Sequence, residues 1–293
     1  MNVMRIALLS LLVGIVIITS VEPGQTDQPV RNRVKVLTYN IYGGRNTDLK
    51  RDLDRIASVI NELQPDIVAL QEVDRHTRRL NGLDLVAELG RRTEMTPAFG
   101  RAMKYDGGEY GEAILSRFPI VSTVNHSLPT VPLVEEDEAK QEVEPRAALA
   151  LKLRFPDSEQ EFVFIGTHLD HLRDPANRNV QAVAVKELPE AYQGIPAILA
   201  GDLNAQPDSD AIGTISEVWT DTWPSKGPQG TNSRRNRRID YIFTSPSPEY
   251  GWRVTRTYRG IDVKTDDPAW EELLGLASDH LPVMAELELV KAR

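Results

Sequence analysis

Pro196-Ala197-Ile198-Leu199-Ala200-Gly201-Asp202-Leu203-Asn204 is an apolar run that breaks abruptly into a Gly-Asp-x-Asn tip. A short apolar run closed by such polar residues reads as a buried strand with its chemistry at the C-terminal end. In α/β sheets, ligands gather outside the carboxyl ends of strands. Side chains two apart on an extended backbone share a face, so Asp202 and Asn204 look into one crevice. An acid and an amide there suit a hydrated metal and a phosphate, while an Asx turn closing a strand would use the same residues. The company this stretch keeps decides between the two.

The neighbouring segments repeat the pattern. Upstream, Phe162-Val163-Phe164-Ile165-Gly166-Thr167-His168 is a strand with a polar end, and Asp174-Pro175 opens a helix with Val180, Val183, Ala184 and Leu188 on one side, closed by Pro189. Downstream, Trp219 to Trp223 reads as core and turn, and Ser225 to Arg238 as a loop rich in Gly, Asn and Arg. Ile239-Asp240-Tyr241-Ile242-Phe243 and Trp252-Arg253-Val254-Thr255 are strands, and Val283 to Leu289 is the last, with Ser278-Asp279-His280 just before it.

Towards the N-terminus, Val34 to Ile41 alternates as a strand that reaches Asn40 before Tyr42-Gly43-Gly44 breaks the backbone. Leu49, Leu53, Ile56, Ile60 and Leu63 recur at helical steps up to Pro65, and Ile67 to Val73 is a second apolar strand carrying Glu72 near its end. Leu83 to Leu89 reads as a short helix, Gly111 to Ser116 and Pro119 to Val121 as a meander, and Arg146 opens the apolar Ala147 to Leu151. Pro129 to Pro145 is an acidic loop, read as solvated surface. Several strand pairs have no helix between them, so a two-sheet α/β sandwich fits better than a doubly wound parallel sheet.

At 26% charged and 41% hydrophobic, the 293 residues suffice for one continuous domain, and no internal repeat or mid-chain Gly/Ser linker divides them. Residues 1–20 read as a signal peptide, because Arg5 precedes an apolar run from Ile6 to Ile18 and Thr19-Ser20 lies before Glu22-Pro23-Gly24. The run is short for the ~20 apolar residues of a spanning helix, which leaves an uncleaved anchor as the alternative. Residues 21–33 read as a linker and 34–293 as the catalytic domain. The chain has no cysteine, and export without disulfides fits an extracytoplasmic protein of a bacterial envelope or medium. A net charge of −9, or −10 without the leader and its single Arg5, weighs against avid binding of nucleic acid.

The strand ends offer Asn40, Glu72, His168, Asp202 with Asn204, and Asp240, and Asp279-His280 stands at the entry to another strand. No Cys or Ser nucleophile with a partner stands out. Carboxylates and amides with few histidines suit Mg²⁺, with Mn²⁺ as substitute, over Zn²⁺. Metal-assisted attack of water on phosphorus needs an ion on a phosphate oxygen, a base and donors for developing charge.

Thr38-Tyr39-Asn40, Leu70-Gln71-Glu72-Val73, Ala113-Ile114-Leu115-Ser116-Arg117, Gly166-Thr167-His168-Leu169-Asp170, Gly201-Asp202-Leu203-Asn204, Ile239-Asp240-Tyr241-Ile242-Phe243 and Ser278-Asp279-His280-Leu281-Pro282-Val283 together resemble the endonuclease/exonuclease/phosphatase superfamily, the DNase I-like metal-dependent phosphohydrolases. Each motif is weak singly, and the ordered set is specific. The resemblance implies a four-layer α/β sandwich of two facing mixed sheets flanked by helices. It implies that Glu72 holds Mg²⁺ with help from Asn40, with Asp279 near the metal. Asp202 would orient or deprotonate water, Asn204 would hold a phosphate oxygen, His280 would pair with Asp240 as base or phosphate contact, and His168 would donate to the phosphate or leaving group. Arg146 and Arg238 are taken as substrate-binding, Arg238 with Arg234, Arg235 and Arg237 in a basic loop that is otherwise solvated surface. His171 is expected at the surface or behind the site, and His76 and His126 at the surface.

Two details depart from or refine the resemblance. Glu112 stands where relatives often carry Asn, and the Thr167-His168-Leu169-Asp170 form looks more like the DNase I, sphingomyelinase and deadenylase branches than the abasic-site nucleases. The expected protein is an exported, monomeric Mg²⁺-dependent phosphodiesterase acting on a small or lipid-headgroup phosphodiester. A secreted DNase I-type endonuclease and a catalytically silent binding module on the same fold are the alternatives.

Overall fold

Alternation along the strands sorts the chain into layers. The computed structural model describes residues 32–45, 50–132, 143–224, 230–232, 236–265 and 268–292. The leader, the acidic stretch Glu135 to Glu138, and Arg234 and Arg235 lie outside the described residues. The strands are β1 (Arg33–Asn40), β2 (Ile67–Arg75), β3 (Thr96–Tyr105), β4 (Gly108–Ser116), β5 (Ile120–Ser127), β6 (Ala147–Arg154), β7 (Glu161–His168), β8 (Ala197–Asp202), β9 (Thr220–Asp221), β10 (Asp240–Ser245), β11 (Tyr250–Arg259) and β12 (Val283–Lys291). The helices are α1 (Leu53–Leu63), α2 (Leu85–Thr93), α3 (Ala176–Glu187), α4 (Asp210–Ser216) and α5 (Trp270–Ala277).

Two six-stranded sheets result, in the orders β11-β12-β1-β2-β4-β3 and β5-β6-β7-β8-β10-β9. Both are mixed, because β1 runs parallel to β2 and β7 parallel to β8 while the other paired strands are antiparallel. Val34, Val36, Ile67 and Ala69 of the first sheet meet Leu149, Leu151, Phe162, Phe164, Ile198 and Ile242 of the second in one apolar layer. The alternate residues face outward: Leu37, Tyr39, Val68 and Leu70 pack with α1, α2 and α5. On the other side, Ile165, Leu199, Tyr241 and Phe243 pack with α3 and α4. Helix, sheet, sheet and helix thus make the four-layer sandwich that the motifs imply.

The element bounds differ from the sequence reading where local chemistry overrides periodicity. Helix α1 starts at Leu53, not Leu49, because the Asp52 side chain accepts from Arg55 N at 3.0 Å and caps it. Asp84 caps α2 in the same way through Ala87 N, and that helix runs on to Thr93. Strand β3 escaped the reading because Pro97 and Gly100 interrupt it, which an edge strand tolerates. Helices α4 and α5 are too short for a clear period. At the centre of the second sheet the backbones approach so closely that a Cβ on Gly201 would lie 2.1 Å from the Thr167 carbonyl oxygen.

Candidate active site

The same two-residue period that builds the inner apolar layer delivers the polar residues. Stepping in twos from Val36 reaches Asn40, from Phe164 reaches His168, from Ala200 reaches Asp202, and back from Ile242 reaches Asp240. Asp202 is in register with His168 on one side and Asp240 on the other, so three polar tips meet at one edge of the sandwich.

Glu72 breaks the period. Counting from Ala69 would turn it outward into the helix-packed core, but Leu70 pairs with Ala113 and Val73 with Gly111, which leaves Gln71 and Glu72 opposite the single residue Glu112. This β-bulge, with Glu72 at φ 60°, brings its carboxylate to the inner edge and restores Val73 to the outer core. A left-handed non-glycine residue costs about 1–2 kcal/mol. Asn204, at φ 49°, is held the same way as the chain turns out of β8.

The fully buried Asp202 is the hub. Its Oδ1 accepts from the Asn204 backbone N–H at 2.9 Å, and its Oδ2 accepts from Asn40 Nδ2 at 3.1 Å. The same Oδ2 lies 3.5 Å from His168 Nε2 and 3.7 Å from His280 Nε2. Asn40 Nδ2 also donates to Glu72 Oε1 at 3.0 Å, while its Oδ1 accepts from Tyr42 N–H at 3.0 Å. Asn40 is therefore at the site, but its oxygen faces the backbone and its NH₂ orients the two carboxylates. His280 Nδ1 sits 3.1 and 3.0 Å from the two Asp240 oxygens. Asn204 Nδ2 lies 3.0 Å from His168 Nε2 and donates to the Leu169 carbonyl.

Burial and neighbouring charge separate the groups electrostatically. Desolvation and then the Asp240 charge raise Asp202 to about 7. Desolvation opposes a charged His280, but Asp240 and then Asp202 outweigh it and raise the imidazole to about 10. Burial, followed by the charge of Arg146, holds His168 well below the usual histidine range. Arg146 Nη1 lies 3.2 Å from His168 Nδ1 and Asn204 Nδ2 lies 3.0 Å from Nε2, so donors face both ring nitrogens and disfavour the doubly protonated ring. Burial raises Glu72 despite its bond from Asn40.

Glu72, His168, Asp202, Asn204 and His280 line a cleft of about 850 Å³ that is also lined by Asp279, Arg146, Arg45, Arg79, Tyr105 and Tyr110. Arg146 is buried, bridging His168, His171 Nδ1 at 3.0 Å and Glu144 at 2.9 Å. Arg238 does not line this cleft: its guanidinium pairs with Asp221 at 2.6 Å and lies over the rings of Tyr241 and Trp223, so the expected substrate contact is instead a structural anchor. Its neighbour Arg237 lines the cleft. Sequence reasoning missed Asn232, whose amide lies 3.2 Å from His280 Nε2, and Thr231, whose Oγ1 accepts from Ile239 N and Asp240 N. His171, expected at the surface or behind the site, is exposed and contacts Arg146. Ser278 Oγ donates to the Asn40 carbonyl at 2.7 Å and accepts from His280 N, so it ties that loop to β1.

This geometry has counterparts. A family model described as Endonuclease/Exonuclease/phosphatase family matches residues 37–280. The chain belongs to that family. An Escherichia coli protein named YbhP, itself uncharacterized, is 30% identical over 190 residues, 61% of this chain and 69% of its own length. An endonuclease/exonuclease/phosphatase of Beutenbergia cavernae is similar in structure, with a TM-score of 0.68 at 26% identity over 88% of this chain and 72% of that one. A mannosyl-6-phosphatase of Bacteroides thetaiotaomicron has a TM-score of 0.61 at 26% identity over 88% of this chain and 99% of its own. Endonuclease/exonuclease/phosphatase members are phosphoester hydrolases, typically dependent on a divalent metal.

The residues of this family member fit such an ion. Ligand atoms of Asp202, Asp240 and His280 lie within 4.8 Å of one another. His280, however, is committed to Asp240 and held as a cation, and a metal ligand must be neutral imidazole. The carboxylates of Glu72 and Asp279, expected as ligands from the sequence, line the same cleft.

Proposed function

We propose that the protein is an exported Mg²⁺-dependent phosphodiesterase acting on a small or lipid-headgroup phosphodiester. The observation that carries this reading is Asp202 Oδ2, a carboxylate oxygen within 3.7 Å of Asn40, His168 and His280 at the head of an open cleft. Glu72 and Asp279 would hold the ion, whose chemistry when bound is to neutralise a phosphate oxygen and ease deprotonation of water.

Asp202, raised to about 7, is suited to take a proton from an attacking water near neutral pH. His280 is fixed as a cation by Asp240 and offers Nε2–H to the charge that develops on the phosphate oxygens. On the other side of Asp202 the neutral His168 and the Asn204 amide, 3.0 Å apart, offer polar contacts to the phosphate, and Arg146 behind them adds a fixed positive charge. A monoanionic diester is the easier charge to bring against Glu72, Asp202 and Asp279. The similarity to a mannosyl-6-phosphatase supports a second reading, a phosphomonoesterase of the same mechanism.

A panel of phosphodiesters and monoesters assayed with Mg²⁺, with EDTA and with Asp202→Ala as control tests both. Diester hydrolysis abolished by chelation and by the substitution is expected. Hydrolysis confined to monoesters favours the second reading, and full activity after exhaustive chelation rejects the metal. Export rests on the leader: mass spectrometry of the native protein should find an N-terminus between about Thr19 and Val30, and an intact Met1 in the cytosol would reject it.

A further inference from the structure

The cleft is larger than one phosphate ester needs, and one wall away from Asp202 is built of cations. Where β1 ends, Tyr42, Gly43 and Gly44 follow one another at φ 51°, 64° and 72°, and just beyond them the Arg45 backbone forms a bridge with that of Arg51. Arg79 reaches the same turn from the segment after β2: a methyl group on Gly43 would lie 3.6 Å from Asp74 Oδ2, the partner of Arg79, 3.8 Å from Arg79 Nη2 and 3.9 Å from Arg45 Nε. Two guanidinium groups are thus within reach of one point at the cleft wall. Arg45 lies over the Tyr42 ring at 4.2 Å and Arg79 over the Tyr105 ring at 4.5 Å, so aromatic faces hold both in place.

Among the described residues, the carboxylate that pairs with one of these arginines is the buried Asp74, 2.8 Å from Arg79. Among the described residues, neither Arg45 nor Arg51 makes an ion pair. Desolvation and then the charge of Arg79 lower the Arg51 guanidinium from its usual value, with Asp74 opposing and Arg45 adding to the effect, so like charges lie near one another here. The arginines of the opposite wall differ: Arg178 is tethered to the Asp170 and Leu172 carbonyls and lies near Asp170 and Asp174. Guanidinium forks match phosphate geometry and bind it bidentately.

We propose that Arg45 and Arg79, which line the cleft, form a subsite for a second phosphate of the substrate, with Arg51 beside them adding positive charge from outside the lining, so that the protein acts on a compact molecule carrying a phosphate group besides the one cleaved. The inference deepens the phosphoesterase reading and names the substrate class. A volume of about 850 Å³ lies in the range of sites that enclose a whole small molecule. The net charge of −9 disfavours a long polyanion, whereas a small bis-phosphate reaches the arginines inside the cleft.

Calorimetric titration tests the subsite without turnover. The probes are butylphosphonate and the α,ω-bisphosphonates of propane, butane and hexane, whose C–P bonds a phosphoesterase does not cleave. The full-length protein at fixed Mg²⁺ should bind at least one bisphosphonate about tenfold or more tighter than the monophosphonate, about 1.4 kcal/mol. In Arg45→Ser/Arg51→Ser, and to a lesser degree in the exposed single variant Arg51→Ser, the ratio should fall towards one. Arg79 is kept, because removing it would strand the buried Asp74 charge. A ratio near one in the wild type, or a ratio the variants leave intact, overturns the subsite. So does affinity that rises instead with the length of a single-stranded oligonucleotide, which assigns the arginines to a polymer. Loss of diester hydrolysis with an intact ratio sinks the function proposed above and leaves the subsite standing; the converse sinks the subsite alone.

Discussion

Asp202 and His280 face each other at 3.7 Å, just beyond hydrogen-bond reach, and both have raised proton affinities, the acid to about 7 and the imidazole to about 10. A buried acid raised towards neutrality and a histidine held protonated are the two halves of acid–base work on phosphorus. Asp202→Asn and His280→Ala should each lower turnover of a diester by about 10²-fold or more with an unchanged melting profile. Asp240→Asn should be milder, since it acts through the imidazole. Near-normal turnover in a folded His280→Ala protein refutes the assignment. Glu112 poses a different test, because its buried Oε2 finds no hydrogen-bond partner among the described residues. Burial, only partly offset by Arg146, raises its carboxyl from 4.5 to about 8. Between those values the unfolded chain releases a proton that the native state keeps, so stability falls as pH rises through that window and the whole cost is present above it. Glu112→Gln should melt like the wild type near pH 5 and gain on the order of a few kcal/mol relative to it by pH 9. Thermal melts that stay superimposed across that range would exclude the shift. Strand ends were readable residue by residue: Asn40, His168, Asp202 and Asp240 all lie on the parity of an apolar inner face. Asn232 and His171 sit on irregular backbone, where no period marks a residue's direction.

At the scale of elements, two local departures from ideal sheet geometry set the site. The bulge in β2 was not legible, because Ile67 to Val73 reads as an unbroken apolar strand and only the pairing with β4 shows that Gln71 and Glu72 share one partner. Without it Glu72 would point into the core of Tyr39, Val68 and Leu70. The second departure is the close passage of β7 and β8 at Gly201. Gly201→Ala would place a methyl group 2.1 Å from the Thr167 carbonyl oxygen, and backbone cannot yield as a flexible side chain does. The strands must separate beside both His168 and Asp202, which are paired in register one residue later. A loss of about 3 kcal/mol in urea unfolding is expected, with catalytic loss beyond what the destabilisation explains. Unchanged stability would mean that the sheet spreads more easily than its packing suggests. Long apolar strands and α1 were legible from their periods; β3, α4 and α5 were not, because a proline, a glycine or sheer shortness hides the repeat.

At the scale of the molecule, local and global charge oppose each other. The chain carries 43 acidic against 34 basic residues, yet six arginines, Arg45, Arg79, Arg146, Arg173, Arg178 and Arg237, line the one cleft described above. Outside it the acidic surface acts on a ligand over roughly a Debye length, ~10 Å at 0.1 M salt. A duplex extends well past the cleft and meets that surface; a small diester is enclosed by the arginines and meets little of it. The expected outcome is higher kcat/KM on a small diester than on plasmid DNA at equal Mg²⁺. Raising NaCl separates the two cases further, since a polyanion held by several phosphate contacts loses affinity steeply with salt, at a log–log slope near −0.9 for each contact. Cleavage of the small diester should decline only mildly over a range in which a true nuclease would lose orders of magnitude. Efficient plasmid cleavage at low salt with a slope of several units would transfer the cleft's arginines to nucleic acid, and the acidic exterior would then have failed to exclude it.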